Sequence, residues 1–261
     1  MKEKSMMKVT AFIGSARKKH TYNATELFLQ KLKSLGDVEY EIVRLSEYNL
    51  ETYKGCIVCF EKGEEFCQFK DDRDKLIEKI MNSDGVIFAS PNYSFNVSAN
   101  MKIFLDRIGF IFHRPRFFGK TFTSIVAQGI YGGSKIVKYF DFIGSSLGFN
   151  VVKGCCVNSL EPVTEKSRET IDKIIDKLSK KFYAKLIKKE YPAPSLLKLM
   201  AFRASRSSMK LMLDESYKDY RHYKEKGWFK ADYYYPVKLN PLKKLSGKLF
   251  DMMGTRMATN H

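Results

Sequence analysis

The 261-residue chain contains no long hydrophobic run and few cysteines. No apolar stretch approaches the roughly 20 residues that a membrane-spanning helix requires, and the segment before the first strand has no hydrophobic core of a signal peptide. The five cysteines are an odd number and include the adjacent pair Cys155 and Cys156, which is typical of reduced thiols rather than of a disulfide framework. We therefore expect a cytoplasmic protein.

Motifs of several common functional classes are absent as well. The chain has neither the G-x-x-x-x-G-K-[ST] loop of nucleotide hydrolases nor the G-x-G-x-x-G fingerprint of dinucleotide-binding domains. Its formal net charge of +17 would suit a polyanion, an anionic membrane or an acidic partner. However, no nucleic-acid-binding module is recognisable, and the lysines are spread along helices as on a solvated surface. We therefore expect no nucleic-acid partner.

Strand and helix patterns alternate through the first two-thirds of the chain. Five strands separated by helices predict an α/β fold, a doubly wound parallel sheet with helices on both faces. We assign this domain to residues 1–190. The predicted strands are 7–13, 38–43, 85–89, 121–127 and 150–157, and the predicted helices are 23–35, 73–82, 98–112, 133–147 and 163–189.

Residues 191–261 form a C-terminal extension rich in methionine, aromatic and basic residues. Three interpretations are open: a dimer arm, a lid over a cofactor, and a basic amphipathic anchor at a membrane surface. Trp228 and the run Tyr233–Pro236 favour a folded arm or lid, because an anchor is more often one uninterrupted helix. A membrane-surface partner is therefore not expected.

The first candidate site is the turn between the first strand and helix, after Gly14. Such a turn presents free backbone N–H groups at a helix N-terminus, where they favour an anion. Hydroxyl, amide and guanidinium side chains add further donors there, although an ordinary solvated turn would look similar. The candidate phosphate-binding residues are Ser15, Arg17, Thr21, Tyr22 and Asn23.

Two further loops follow later strands, at the edge of the sheet where ligands bind in doubly wound folds. One carries an aromatic surface and polar groups suited to a planar heterocycle, and the other carries glycines that allow a ligand close to the backbone. The candidate residues are Pro91, Asn92, Tyr93, Ser94, Phe95 and Asn96 in the first, and Gly129, Tyr131, Gly132 and Gly133 in the second.

Together these segments resemble the NAD(P)H-dependent FMN reductase family of flavodoxin-like proteins. The resemblance covers roughly residues 7–160 and rests on Gly-Ser-x-Arg at 14–17, Ser-Pro-Asn-Tyr at 90–93 and Lys-x-Phe-Leu-Asp-Arg at 102–107. It implies a five-stranded sheet in the order 2-1-3-4-5. It also implies non-covalent FMN, with the phosphate at residues 15–23 and the ring system at 91–97 and 129–133.

The resemblance further implies that a reduced nicotinamide passes hydride to the flavin, which then reduces a second substrate. That acceptor could be a quinone, a free flavin, a nitro or azo compound, or a protein. No catalytic side chain is expected, and a homodimer is implied. Arg114 and Arg116 would then meet a nicotinamide nucleotide phosphate or act as surface cations, and Asp106 would pair with Arg107. The alternatives are an electron carrier without a nicotinamide site and a non-enzymatic interaction protein.

Cys56, Cys59 and Cys67 resemble the cysteine segment of iron–sulfur flavoproteins, which uses four closely spaced thiolates to hold a cluster. Tyr53 stands where the first cysteine of that pattern would align. We therefore expect a metal-free structural loop or, second, a redox-active thiol pair, and no metal site.

Overall fold

The computed structural model of the protein describes residues 6–259, which form two compact units. The first comprises residues 6–53 and 69–190, and the second comprises residues 54–68 and 191–259. The expectation about a signal peptide concerns residues that lie largely outside this description. A division into domains at residue 190 stays a prediction.

The first unit is a parallel sheet in the order β2-β1-β3-β4-β5, with β6 also paired to β4. This order and the doubly wound fold confirm the sequence prediction. The strands are β1 (Met7–Ile13), β2 (Val38–Arg44), β3 (Gly85–Pro91), β4 (Thr121–Gln128), β5 (Asn150–Val151) and β6 (Cys155–Asn158), and the helices are α1 (His20–Leu35), α3 (Arg73–Met81), α4 (Ala99–Arg107), α5 (Gly133–Ser146) and α6 (Glu165–Leu186).

Alternate side chains of the central strands supply two apolar layers, because successive strand residues point to opposite faces. On one face, Ile87 and its neighbours pack with apolar residues of α1 and α6, including Phe28 and Phe182. On the other face, the ring of Phe88 contacts the rings of Phe104 and Phe140 from α4 and α5. The sheet is thus covered on both sides, and its strand ends are free to carry a site.

Several predicted elements differ in detail. The helix predicted over 98–112 ends at Arg107 and is followed by a 3-10 helix, Gly109–Phe112. The last predicted strand, 150–157, is interrupted, because the N–H of Gly154 donates to the Asp141 carboxylate instead of to the sheet (3.1 Å) and Gly154 lies against Ser124. Helix α1 begins at His20 rather than at residue 23, since the N–H of Asn23 already donates to the carbonyl of Lys19 (2.8 Å).

The second unit contains α2 (Val58–Glu61), α7 (Leu196–Met212), α8 (Lys218–Glu225) and α9 (Pro241–Thr259). Trp228 donates its indole N–H to the carbonyl of Tyr234 (3.0 Å) and contacts the ring of Tyr223. These contacts agree with the prediction of folded, shape-specific packing in the aromatic part of the extension. Within residues 6–259, no helix is both long enough and apolar enough to cross a membrane.

The cysteine segment 54–68 belongs to this second unit and packs on α8. The Lys218 ammonium lies 3.1 Å from the Glu65 carboxylate, and Arg221 donates to the carbonyl of Lys62 (3.0 Å). These contacts contribute to the lowered pKa of the Glu65 carboxyl: burial raises it, but hydrogen bonds from its own backbone N–H and from Lys218 outweigh that effect.

Candidate binding site at the carboxyl edge of the sheet

The loops after β1, β3 and β4 meet at one edge of the sheet, because the carboxyl ends of parallel strands lie at the same edge. They enclose a cavity of about 330 Å³. Of the predicted site residues, the cavity is lined by Ser15, Arg17, Thr21, Pro91, Asn92, Tyr93 and Gly129.

The turn after β1 is held by its own side chains. The hydroxyl of buried Ser15 donates to the carbonyl of Arg17 (3.0 Å) and accepts from the N–H of Arg17 (3.3 Å). The guanidinium of Arg17 in turn donates to the hydroxyl of Tyr93 (3.3 Å). This turn therefore reaches directly to the loop after β3.

The first turn of α1 points at the same cavity. The first N–H groups of a helix have no partner within the helix, and its N-terminus carries a partial positive charge. Lys19 and His20 line the cavity beside Arg17, so several cationic or potentially cationic groups converge there. The position is suited to an anion.

Two predicted residues of this turn lie elsewhere. The hydroxyl of Tyr22 contacts Glu26 (3.5 Å), and burial together with that carboxylate raises the pKa of Tyr22. Asn23 lines an adjoining cavity of about 710 Å³ between the N-terminal ends of α1 and α6. Of these two residues, neither places its side chain in the smaller cavity.

The loop after β3 forms a tight turn between Tyr93 and Asn96, whose backbones exchange two hydrogen bonds of 3.0 Å. Ser94 and Phe95 have positive φ angles of 49° and 62°, an uncommon conformation for such residues. The turn exposes the rings of Tyr93 (46%) and Phe95 (58%). Backbone strain of this kind is held in place by surrounding structure and is common at ligand sites.

Asn92 joins this loop to the loop after β4. Its amide nitrogen donates to the carbonyl of Tyr131 (2.9 Å). Its Oδ1 atom is buried and accepts no hydrogen bond from any described residue. Since buried polar atoms are normally paired, this oxygen is an acceptor available to a ligand N–H or O–H.

The loop after β4 places Tyr131 beside Phe95, with ring centres 5.2 Å apart. Gly132 has a φ angle of 96°, and a Cβ atom there would lie 2.7 Å from the Phe95 ring. The N–H of Gly133 donates to the side chain of Gln128 (2.7 Å). Glycine at 132 thus permits an open aromatic surface formed by Tyr93, Phe95 and Tyr131.

A second layer of hydroxyls fixes these loops to one another. The hydroxyl of buried Ser98 donates to the carbonyl of Gly14 (2.8 Å), and the N–H of Ser98 donates to the hydroxyl of Ser90 (2.9 Å). Ser98 also caps α4. Ser98, the predicted start of the helix, therefore also connects the turn after β1 with the loop after β3.

Further residues line the cavity without having been predicted there, among them Lys19, Ser159 and Glu161. Glu161 lies 2.9 Å from the Nε2 atom of His20. Ser159 donates its N–H and its hydroxyl to the carbonyl of Gln128 (2.7 and 2.9 Å). Since β6 is parallel to β4, the loop after the last predicted strand had to reach this edge, and that signal could have identified Ser159 and Glu161.

The predicted ion pair between Asp106 and Arg107 is wrong. Neighbouring helix residues do not face each other, so Asp106 pairs with Lys102 (2.6 Å), whereas Arg107 pairs with buried Asp71. Burial raises the pKa of the Asp71 carboxyl, but hydrogen bonds from Arg107 and from the N–H groups of Glu51 and residue 73 outweigh it, so the pKa lies below its usual value.

Arg114 and Arg116 both lie against the ring of Phe110, with the centre of each guanidinium 5.5 and 5.3 Å from the ring centre. Arg114 is fully buried, so the interpretation of both residues as surface cations is wrong for Arg114. The apolar packing of the segment explains this burial. A contact of Arg116 with a nucleotide phosphate stays a prediction.

The cysteines have no assembled metal site. Among residues 6–259, no group of three or more histidine, cysteine, aspartate or glutamate side chains is placed to hold a metal ion. Cys155 and Cys156 lie on β6, where burial raises the pKa of the first thiol to about 12 and of the second to about 11. Such thiols are protonated near neutral pH and are weak nucleophiles.

Comparisons with known proteins agree on one family. The model described as NADPH-dependent FMN reductase matches residues 7–160. An iron-sulfur flavoprotein from Clostridioides difficile is 29% identical over 224 residues, which cover 84% of this chain and 95% of that protein. Another from Archaeoglobus fulgidus is 35% identical over 160 residues, which cover 57% of this chain and 71% of that protein.

A solved structure has a similar fold over most of the chain. The crystal structure of RosB with bound 8-demethyl-8-formylriboflavin-5'-phosphate has a TM-score of 0.55 and 13% sequence identity. The match covers 90% of this chain and 92% of that chain.

Proposed function

The chain belongs to the NADPH-dependent FMN reductase family, and from this premise we propose that FMN binds in the cavity at the carboxyl edge of the sheet. The protein is an oxidoreductase of this family, and we propose that NAD(P)H is its electron donor. One observation supports this location for FMN: five of the predicted site residues line the same cavity. They are Ser15, Arg17, Asn92, Tyr93 and Gly129.

In this proposal, the turn after β1 and the start of α1 bind the phosphate. The Arg17 guanidinium donates, as do the N–H groups of the first helical turn, which have no partner within the helix. The buried Ser15 hydroxyl would turn from the carbonyl of Arg17 to donate to the phosphate as well. Thr21 lines the same cavity. Tyr22 contributes its backbone N–H rather than its ring, since its hydroxyl is turned to Glu26.

The loops after β3 and β4 would then hold the ring system. Tyr93, Phe95 and Tyr131 offer exposed aromatic surface for stacking. The Oδ1 atom of Asn92, which accepts no hydrogen bond from any described residue, would take a hydrogen bond from a ring N–H or a ribityl hydroxyl. The N–H groups around Gly132, where a Cβ atom would contact Phe95, would approach the polar edge of the ring.

When bound, FMN would supply two-electron redox chemistry between NAD(P)H and an acceptor. The protein's side chains orient the reactants, and the reaction requires no side chain to transfer a proton. The exposed aromatic surface is open to solvent, which suits alternating access by a nicotinamide and by a planar acceptor. We expect the acceptor to be one of four kinds: a quinone, a free flavin, a nitro or azo compound, or a protein. A homodimer stays a prediction.

The names of the relatives raise the question of an iron–sulfur cluster in this chain. Cubane clusters need four ligands, usually thiolates, and the segment 54–68 offers only Cys56, Cys59 and Cys67. No metal-binding group is assembled within the described residues. The segment therefore does not fit a cluster, and the proposed function includes no cluster chemistry.

The second candidate is an electron carrier that holds FMN but has no nicotinamide site. The observation that favours it is the net charge of +17, which would steer an acidic redox partner to the surface. The two candidates differ in whether NAD(P)H alone reduces the protein.

Anaerobic single-turnover spectroscopy tests this. We expect the visible flavin bands of the reconstituted protein to bleach when NADPH or NADH is added, and to return when a quinone follows. Bands that persist with both nicotinamides but bleach with dithionite would favour the electron carrier. Failure to take up FMN would contradict both.

A further inference from the structure

The outward face of α9 carries a row of exposed apolar side chains. Leu242, Leu245, Leu249 and Met252 are 67%, 60%, 58% and 67% exposed. Their spacing of three and four residues places them on one side of the helix. Isolated exposed leucines need no explanation, but a continuous apolar row on one helix is typical of an interaction surface.

The opposite side of α9 already has a partner. Gly247 and Gly254 are buried there, and Gly254 lies so close to the backbone of Ala204 on α7 that a Cβ atom would overlap it. The row of leucines is therefore not the face that joins α9 to its own unit. The row is therefore left uncovered by the rest of its own unit.

The charges beside the row are positive. Lys244, Lys248 and Arg256 are exposed, and Asp251 is the only acidic residue within α9. Asp251 is turned inward, where its carboxylate binds Arg203 (2.6 Å) and Arg206 (3.0 Å) of α7. No carboxylate of α9 thus neutralises the cations on the outward side.

We propose that this outward face of α9 docks on an anionic lipid surface. An interfacial helix of this kind buries its apolar side chains among the lipids, while long lysine and arginine side chains reach the phosphate groups. A second copy of the chain would bring like charges together across the interface, which disfavours it as the occupant. The α9 helix lies on the surface and does not span the bilayer.

The sequence alone favours an arm or a lid over an anchor, on the ground that an anchor is usually one uninterrupted helix. The structure meets that condition, since α9 runs without a break from Pro241 to Thr259. The inference does not depend on FMN binding. Its test needs no flavin readout, so failure of either account leaves the other standing.

Vesicle co-sedimentation of the full-length protein tests the inference. We expect binding to phosphatidylcholine vesicles that contain phosphatidylglycerol, little binding to phosphatidylcholine alone, and release at high salt. The double variant L245Q/L249Q and, separately, K244Q/K248Q should each lower the bound-to-free ratio roughly tenfold. Ile187→Gln, at an exposed apolar position (43%) on the first unit, is the matched control and should bind as the wild type does.

Circular dichroism and size-exclusion chromatography of the same proteins complete the test. Unchanged helix content and unchanged oligomeric state, with loss of vesicle binding, would support the inference. Absence of binding to anionic vesicles, equal binding to neutral vesicles, or full binding by L245Q/L249Q would overturn it. Conversion of an oligomer to a monomer by L245Q/L249Q would also overturn it and would identify a second copy as the occupant.

Discussion

The guanidinium of Arg17 lies 3.3 Å from the hydroxyl of Tyr93, so the turn after the first strand and the loop after the third hold each other. One of these elements is the proposed phosphate site and the other is part of the proposed ring site. A change in either is expected to affect the other, because their geometry is shared.

Gly132, in the loop after β4, is expected to be difficult to replace. Its φ of 96° costs a residue with a side chain about 1–2 kcal/mol, and the added Cβ would lie 2.7 Å from Phe95. Gly132→Ala should weaken FMN binding roughly tenfold or more, as measured by quenching of flavin fluorescence. Gly109→Ala is the control, because Gly109 lies outside the cavity and an added Cβ would meet no atom within 4 Å. Equal effects of the two substitutions would contradict the role given to Gly132.

Cys155 and Cys156 are expected to resist alkylation in the folded protein. Burial raises their pKa values to about 12 and about 11, so the reactive thiolate is scarce at pH 8. Peptide mapping after treatment with iodoacetamide should find both thiols unmodified in the native protein and modified after unfolding in urea. Rapid modification of either thiol in the native protein at pH 8 would show that the strand is more open than described.

The Arg107–Asp71 pair is expected to stabilise the first unit above about pH 4. Both side chains are only 2% exposed, and removing one partner of a buried pair costs about 3–5 kcal/mol. Asp71→Asn should lower the free energy of unfolding by that order at pH 7. Since the pKa of Asp71 is lower in the folded protein than in the unfolded chain, the wild-type advantage should shrink as the pH falls below the usual carboxyl range.

Asp74 provides the control for this substitution. It pairs with Arg73 at 2.8 Å but is 73% exposed, so Asp74→Asn should cost at most about 1 kcal/mol. Urea unfolding of the wild type and both variants at pH 7 and at about pH 3 distinguishes the two positions. A difference between Asp71→Asn and the wild type that does not change with pH would contradict the electrostatic explanation.

The sheet could be predicted from the sequence because its signals are local. Apolar runs such as 85–89, each followed by a turn and an amphipathic helix, indicate parallel strands and their order along the chain. The same signals locate the loops at the carboxyl edge. Even so, the break in the last strand could not be predicted, because it depends on a hydrogen bond that the carboxylate of Asp141 accepts from the N–H of Gly154.

What could not be predicted depends on contacts between segments distant in sequence. The partner of Arg107 is 36 residues away, and nothing local indicates it. The cysteine segment belongs with the C-terminal residues because Lys218 and Arg221 bind it. On α9, apolar spacing alone predicts a buried face, whereas the glycines Gly247 and Gly254 form that face and the leucines are exposed.

We expect Ser15 and Arg17 to bind the phosphate of FMN. Fluorescence titration with FMN and with riboflavin, which lacks the phosphate, measures their contribution. We predict that the wild-type protein and the control Lys18→Ala prefer FMN strongly, whereas S15A/R17A loses most of that preference, since a hydrogen bond to a charged group contributes about 1.5–3 kcal/mol. Equal affinity of the wild-type protein for both flavins, or an undiminished preference in S15A/R17A, would contradict the account.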